Sequence, residues 1–222
     1  SLASCCRLRN EVSENTFSPT SGLTGVKTGS CNVITLNMNR IIQDCYKQWA
    51  GPLSSIKHPH LGNTRFFDNL KVYLIDILER VYKYHIAYKT MLYEWEDKGM
   101  FASSNGGYIQ IKDLFSTVGI NGLNEAAEFL GLEVSNNSEY IQFLQLILGT
   151  IKEQNKIHSI RDKKKPFLFN SEVVPAEGLG VKNYNWDKSD NYWVPEDRNL
   201  YNSYFYNAHD NTSVLDKFIL HG

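Results

Sequence analysis

The sequence predicts an α/β fold with parallel strands, on two observations. Short runs rich in β-branched and aromatic residues recur along the chain, at Val33 to Leu36, Phe115 to Ile120 and Phe167 to Val174. Between them lie segments whose apolar residues return every three or four positions, long enough for the crossover that joins parallel neighbours. A fourth strand is expected at Lys217 to Leu220. Strands alternating with long helices suit half of an open sheet or half of a barrel.

Taken in order, residues 7 to 31 are polar and rich in Gly, Ser and Thr, which predicts a loop or loose hairpin. The first strand passes at Asn37 into a helix built on Met38, Ile41, Ile42, Cys45, Tyr46 and Trp49 and closed by Gly51-Pro52. From Asn63 to Lys98, Phe67, Leu70, Leu74, Ile77, Val81, Tyr88, Leu92 and Trp95 trace one long amphipathic helix. His85 lies near that stripe and reads as a core-edge residue with a satisfied ring rather than a ligand. Asn105-Gly106-Gly107 marks a turn. Beyond the second strand, Asn121-Gly122 is a junction, Leu123 to Leu130 is helical, and Gly131 ends it. Ser138 to Asn155 is a further helix, with Tyr140, Phe143, Leu144, Ile147, Leu148 and Ile151 on its buried side. Arg161 to Lys165 reads as a solvated connector, and Pro175 stops the third strand. Asn183 to His209 is crowded with Tyr, Trp, Asn and Asp without period, which predicts an aromatic loop region.

Composition narrows the function classes. Twenty-three basic against twenty-four acidic residues leave a net charge of -1, so no global field draws the chain to nucleic acid or anionic lipid. Its apolar runs fall well short of the roughly 18 residues of a spanning helix, and no basic, apolar leader opens it. Four cysteines without a C-x-x-C spacing make no disulfide framework, which points to a reducing, cytoplasmic setting and makes the sequons at Asn136 and Asn211 chance matches. The first residue is Ser rather than Met, and the chain reads as an excised piece of one domain. No direct contact with nucleic acid or membrane is expected.

Ligands of parallel α/β folds meet the carboxyl ends of strands. Three junctions qualify: Thr35-Leu36-Asn37, Gly119 to Gly122, and Val173 to Gly178. Glycine there lets backbone amides approach a ligand, and the helix that follows offers unpaired N–H groups to phosphate. Cys5-Cys6 reads either as a small apolar pair or as reactive thiols; Cys31 and Cys45 read as packing. His58-Pro59-His60 is the one close histidine pair and has no second cluster, so no metal site is expected. G-x-S-x-G, Walker A, HExxH and G-x-G-x-x-G motifs are absent.

Four ordered blocks are more specific than any of these features alone. They are Ser4-Cys5-Cys6-Arg7-Leu8; Thr28 to Arg40; Ser116 to Ala126; and Val174-Pro175-Ala176-Glu177 with Gly180-Val181-Lys182. Together they resemble the catalytic region of the anaerobic, oxygen-sensitive ribonucleoside-triphosphate reductases of class III, over nearly the whole chain. A formate-lyase-like glycyl-radical enzyme and a non-catalytic domain that keeps the fold are the alternatives.

The resemblance implies a ten-stranded α/β barrel of two parallel halves, of which residues 1 to 222 form a C-terminal portion, with a finger loop near residues 1 to 31. It implies reduction of ribonucleoside triphosphates by a thiyl radical on Cys6, with Cys5 as the second choice, and a catalytic role for Glu177. Ser4, Cys5, Ser30, Pro175, Ala176 and Gly178 are the implied substrate contacts. Asn39 stands where many relatives have Pro, a departure expected to alter only the helix start. The whole family protein carries a glycyl radical made by an iron–sulfur/S-adenosylmethionine activase, a structural zinc and ATP or dNTP effectors. None of these is expected to be held by this piece. The implied partners are the rest of the reductase chain, the activase and, at full length, a second copy.

Overall fold

The computed structural model describes residues 29–50, 64–174, 177–206 and 213–221. Strand β1, Gly29–Asn37, runs directly into helix α1, Met38–Ala50. The long helix α2, Thr64–Asp97, a short helix α3, Ala102–Asn105, and a 3₁₀ turn at Ile111–Asp113 lead to β2, Leu114–Asn121. Helices α4, Leu123–Phe129, and α5, Ser138–His158, precede β3, Leu168–Val173. Helix α6, Glu177–Ser189, and helix α7, Val214–His221, complete the order.

The strands form one sheet in the order β1-β2-β3. Cys31 reaches the Phe115 carbonyl and Gly119 lies against Thr35; Thr117 reaches Asn170 and the Val174 amide donates to the Ile120 carbonyl. Residue numbers rise together on neighbouring strands, so all three run parallel. Each crossover contains helix, as parallel pairing requires. The fold is therefore α/β with parallel strands, and the described residues contribute three of them.

Two expectations fail. Lys217 to Leu220 is helix, not a fourth strand: the Ser213 hydroxyl oxygen accepts from the Asp216 amide at 3.1 Å and its proton goes to the Asp216 carboxylate at 2.6 Å, a reciprocal cap that starts α7. The segment from Asn183 is not loop throughout, because α6 runs to Ser189 before the irregular stretch begins. Polar side chains hid that helix, since they are turned to neighbouring carboxylates and amides rather than to an apolar core.

The chain divides into two compact units, each crossed by parts of the strands and of α2 and α5. One draws on residues up to Ile34, Glu79–Val118 and Glu153–Glu172. Its core gathers Leu92, Tyr93 and Ile111, with Cys31, Trp95, Phe101, Leu114 and Phe167 packed against them. Tyr82 stacks on His158 at 4.2 Å and donates its hydroxyl proton to Asn155 at 2.8 Å. The other unit draws on Thr35–Leu78, Gly119–Lys152 and from Val173 onward. Its core is Met38, Ile42, Cys45 and Tyr46 of α1, Phe66, Leu70, Leu74 and Leu78 of α2, and Tyr140, Phe143, Ile147 and Ile151 of α5. The buried seam of α2 runs through Phe66 and Leu78 rather than Phe67 and Ile77, and leaves Tyr88 exposed. In the first unit that seam is completed by His85 and Lys89, both fully buried.

Candidate active site

The parallel sheet brings the three junctions to the carboxyl ends of adjacent strands, all within the second unit. Gly119 is required there by close approach: a Cβ would stand 2.4 Å from Thr35 Oγ1 and 2.7 Å from Val174 Cγ2. Gly122, with φ of 75°, turns the chain from β2 into α4 through the left-handed region that favours glycine. Asn121, fully buried at the end of β2, accepts from Asn183 Nδ2 at 2.9 Å, which ties the strand to α6. Glu125 of α4 holds the segment beyond: its Oε1 accepts from Arg198 Nε at 3.1 Å and from the Asn202 amide at 3.1 Å. Burial raises the Glu125 pKa, and Arg198 opposes the rise.

Asp187 of α6 is the hub of this edge and is fully buried. It accepts from Asn37 Nδ2 at 3.0 Å on both oxygens, from Arg40 Nε at 2.7 Å, from Tyr201 OH at 2.7 Å and from Asn39 Nδ2 at 3.2 Å. Asn37 Oδ1 in turn accepts from the Arg40 amide at 3.2 Å and caps α1. Asn39 therefore does more than start a helix. Its amide also donates to the Trp193 carbonyl at 2.9 Å and to Tyr201 OH at 2.7 Å, binding the end of β1 to the irregular stretch after α6.

In the first unit a row of small polar side chains crosses the sheet. Ser30 Oγ and Thr117 Oγ1 are 2.8 Å apart, and the Thr117 hydroxyl donates to Asn170 Oδ1 at 2.7 Å. Cys31 turns the other way, into the Leu92–Tyr93–Ile111 core, and its Sγ comes within 3.7 Å of Ser116 Oγ. Side chains alternate along a strand, so Thr117 points away from that core.

His85 departs from expectation. It is wholly buried rather than at the core edge, and neither ring nitrogen makes a hydrogen bond. The Thr117 backbone is near enough to favour the charged ring slightly, but outside hydrogen-bond geometry. Burial wins and pushes the His85 pKa down to about 4. The unfolded chain, with the ordinary value near 6.5, then takes up a proton that the folded chain refuses between these limits. Stability is fully present above pH ~6.5 and falls as pH drops toward ~4, by up to about 3 kcal/mol. His85→Phe is expected to flatten that part of the pH–stability profile, as read by denaturant midpoints from pH 4 to 7.

A model of the family described as anaerobic ribonucleoside-triphosphate reductase matches residues 1–222, the whole chain. The chain belongs to that family. The anaerobic ribonucleotide reductase from Thermotoga maritima, solved with citrate in its active site, is 21% identical with a TM-score of 0.68, over 87% of this chain and 33% of that one. The form with glycerol in the active site gives 22% and 0.67, over 88% and 30%. The complex with dATP and CTP gives 21% and 0.65, over 86% and 29%. At such identities the likeness establishes the shared fold. This chain spans about a third of the length of these reductases. No curated protein matches it.

Of the reductase site residues expected from sequence, Ser4, Cys5, Cys6, Pro175 and Ala176 lie outside the described residues. Glu177 is the first residue of α6, and Gly178 is exposed in its first turn with nothing within 4 Å of where a Cβ would be. Ser30 lies on β1 in the polar row of the first unit. Thr117 and Asn170, its partners in that row, went unremarked in the sequence. Each is a polar side chain inside a strand of a parallel sheet, where apolar residues are the rule, but which of them meet is set only by the pairing of the strands. Among the described residues no three His, Cys, Asp or Glu side chains converge as metal ligands, and no helix is long and apolar enough to cross a membrane.

Proposed function

We propose that the chain is part of the catalytic barrel of a class III ribonucleotide reductase, converting ribonucleoside triphosphates to deoxyribonucleoside triphosphates in the cytoplasm. The observation that carries this reading is the family match over all 222 residues. The parallel sheet supports it, because a barrel half needs adjacent strands whose carboxyl ends share one edge. In this reading residues 1 to 31 hold the finger loop, and the Cys6 thiol faces the ribose.

A glycyl radical carried elsewhere in such an enzyme, made by an iron–sulfur/S-adenosylmethionine activase, supplies the unpaired electron. Cys6 then removes the hydrogen from C3′, the 2′-hydroxyl leaves as water, and Cys6 returns the hydrogen. Two electrons from an external reductant balance the step: a dithiol brings both protons with them, whereas formate brings one and the second comes from solvent. A sulfur radical exchanges hydrogen with a sugar carbon only where water and stray reductants are excluded, which a loop threaded through a barrel achieves. Glu177, at the start of α6, moves a proton at the ribose. In this reading Pro175, Ala176 and Gly178 contact the substrate, and the N-terminus of α6 favours its phosphates. Ser4, Cys5 and Ser30 line the sugar. Zinc and the ATP or dNTP effectors bind other parts of the complete protein, which acts as a homodimer.

The isolated chain, given activase, reductant and CTP without oxygen, is expected to form no dCTP, whereas the complete protein forms it. Measurable dCTP from the isolated chain overturns the assignment of the missing parts.

A further inference from the structure

Helix α7 turns its polar side to its own unit and its apolar side outward. Asp216 Oδ1 accepts from Asn136 Nδ2 at 2.7 Å, and the Lys217 ammonium lies 5.1 Å from the centre of the Tyr206 ring. Both residues are half-buried. By contrast Val214, Leu215, Phe218 and Ile219 are 58 to 75% exposed, and Leu220 is the one apolar side chain of the helix that is buried. The four stand at i, i+1, i+4 and i+5, which lines them up along one face of two turns.

An amphipathic helix ordinarily buries its apolar stripe and leaves its charges in water. Burial of four such side chains outweighs a half-exposed hydrogen bond and a cation–π contact, so the orientation of α7 is favourable where a further surface covers the stripe. Single exposed apolar residues are common on any protein; four contiguous ones on one helix mark a contact.

Size and length identify what covers it. A stable association between separate molecules buries about 800 Å² on each partner, and four side chains on two helical turns fall well short of that. A segment of the same polypeptide needs far less area, because the covalent link has already removed most of its translational freedom. The reductases compared above are long enough that this chain spans about a third of them, so most of such a protein is polypeptide outside residues 1–222.

We infer that the outward face of α7 is the docking surface for an apolar segment of the same polypeptide outside residues 1–222, which makes α7 an interior helix of the complete protein. The inference rests on the part of the reading above that makes this chain a piece of a longer reductase. It adds where the remainder of that chain is seated.

The test uses the complete protein, without activation. Leu215→benzoylphenylalanine places a photo-cross-linking side chain on the stripe, and cross-linked peptides are identified by mass spectrometry after irradiation. The expected product is a cross-link within one chain, to a peptide outside residues 1–222, with no increase in mass on a denaturing gel. A product of doubled mass assigns the face to a second copy and overturns the inference. So does a cross-link to a peptide within residues 1–222, or irradiation that yields no cross-link at all. If the Leu215 variant does not fold, Ile219→benzoylphenylalanine gives the same readout from the same face. Cross-linking needs no radical: its failure in a protein that forms dCTP overturns the inference alone, whereas a protein that carries its radical but forms no dCTP overturns the reductase reading.

Discussion

On the function proposed above, Cys6→Ser in the complete protein is expected to lower nucleotide reduction by roughly a thousandfold or more, because it removes the group proposed to exchange hydrogen with the substrate. The O–H bond of serine is much stronger than S–H, so a side chain of nearly the same size cannot take part in the exchange. Radical storage is a separate event, and the glycyl-radical signal in electron paramagnetic resonance is expected to persist in the variant. Cys5→Ser separates the neighbours: if Cys6 is the reacting thiol it weakens CTP binding, seen in KM, but leaves turnover at saturating CTP within a few-fold of wild type. The reverse pattern moves the chemistry to Cys5, and unchanged activity in both variants favours a domain that keeps the fold without catalysis. Because hydrogen-atom transfer does not use the thiolate, the rate is not expected to follow thiol ionisation.

The largest effect on stability is expected at Asp187. Its buried carboxylate accepts from Asn37, Asn39, Arg40 and Tyr201. Asp187→Ala leaves several donors buried without an acceptor and an Arg40 guanidinium that keeps its ion pair to Asp190 at 2.7 Å and its place over the Tyr192 ring. Breaking such a hub costs about 3 kcal/mol or more, a large share of the 5–15 kcal/mol that holds a typical domain together. The denaturation midpoint should fall accordingly. Asp190→Ala removes a half-exposed partner of the same arginine and is expected to change stability by no more than about 0.5 kcal/mol. Equal effects from the two aspartates contradict the hub.

Parts of this architecture were legible in the sequence for physical reasons. The β1-to-α1 and β2-to-α4 junctions announce themselves because period two gives way to period 3.6 at Asn37 and Gly122. The long reach of α2 follows from more than thirty residues of unbroken helical period. Helix α6 was not legible, since Asn183 and Asp187 face other polar groups and blur the apolar stripe. The apolar run Phe218-Ile219-Leu220 imitates a strand, and the Ser213–Asp216 cap reveals α7. The end of β3 was visible because Pro175 follows so closely on its last residue, Val173. The Ser30–Thr117–Asn170 row was not, because it joins residues 87 and 53 apart in sequence that only sheet pairing brings together.

The chain is proposed to be the nucleotide-reducing part of a longer protein. The direct measurement is an anaerobic assay of that complete protein, with its glycyl radical verified spectroscopically, given CTP and a reductant. Formation of dCTP, matched one for one by oxidation of the reductant, is the predicted result. A full radical signal with CTP recovered unchanged contradicts it.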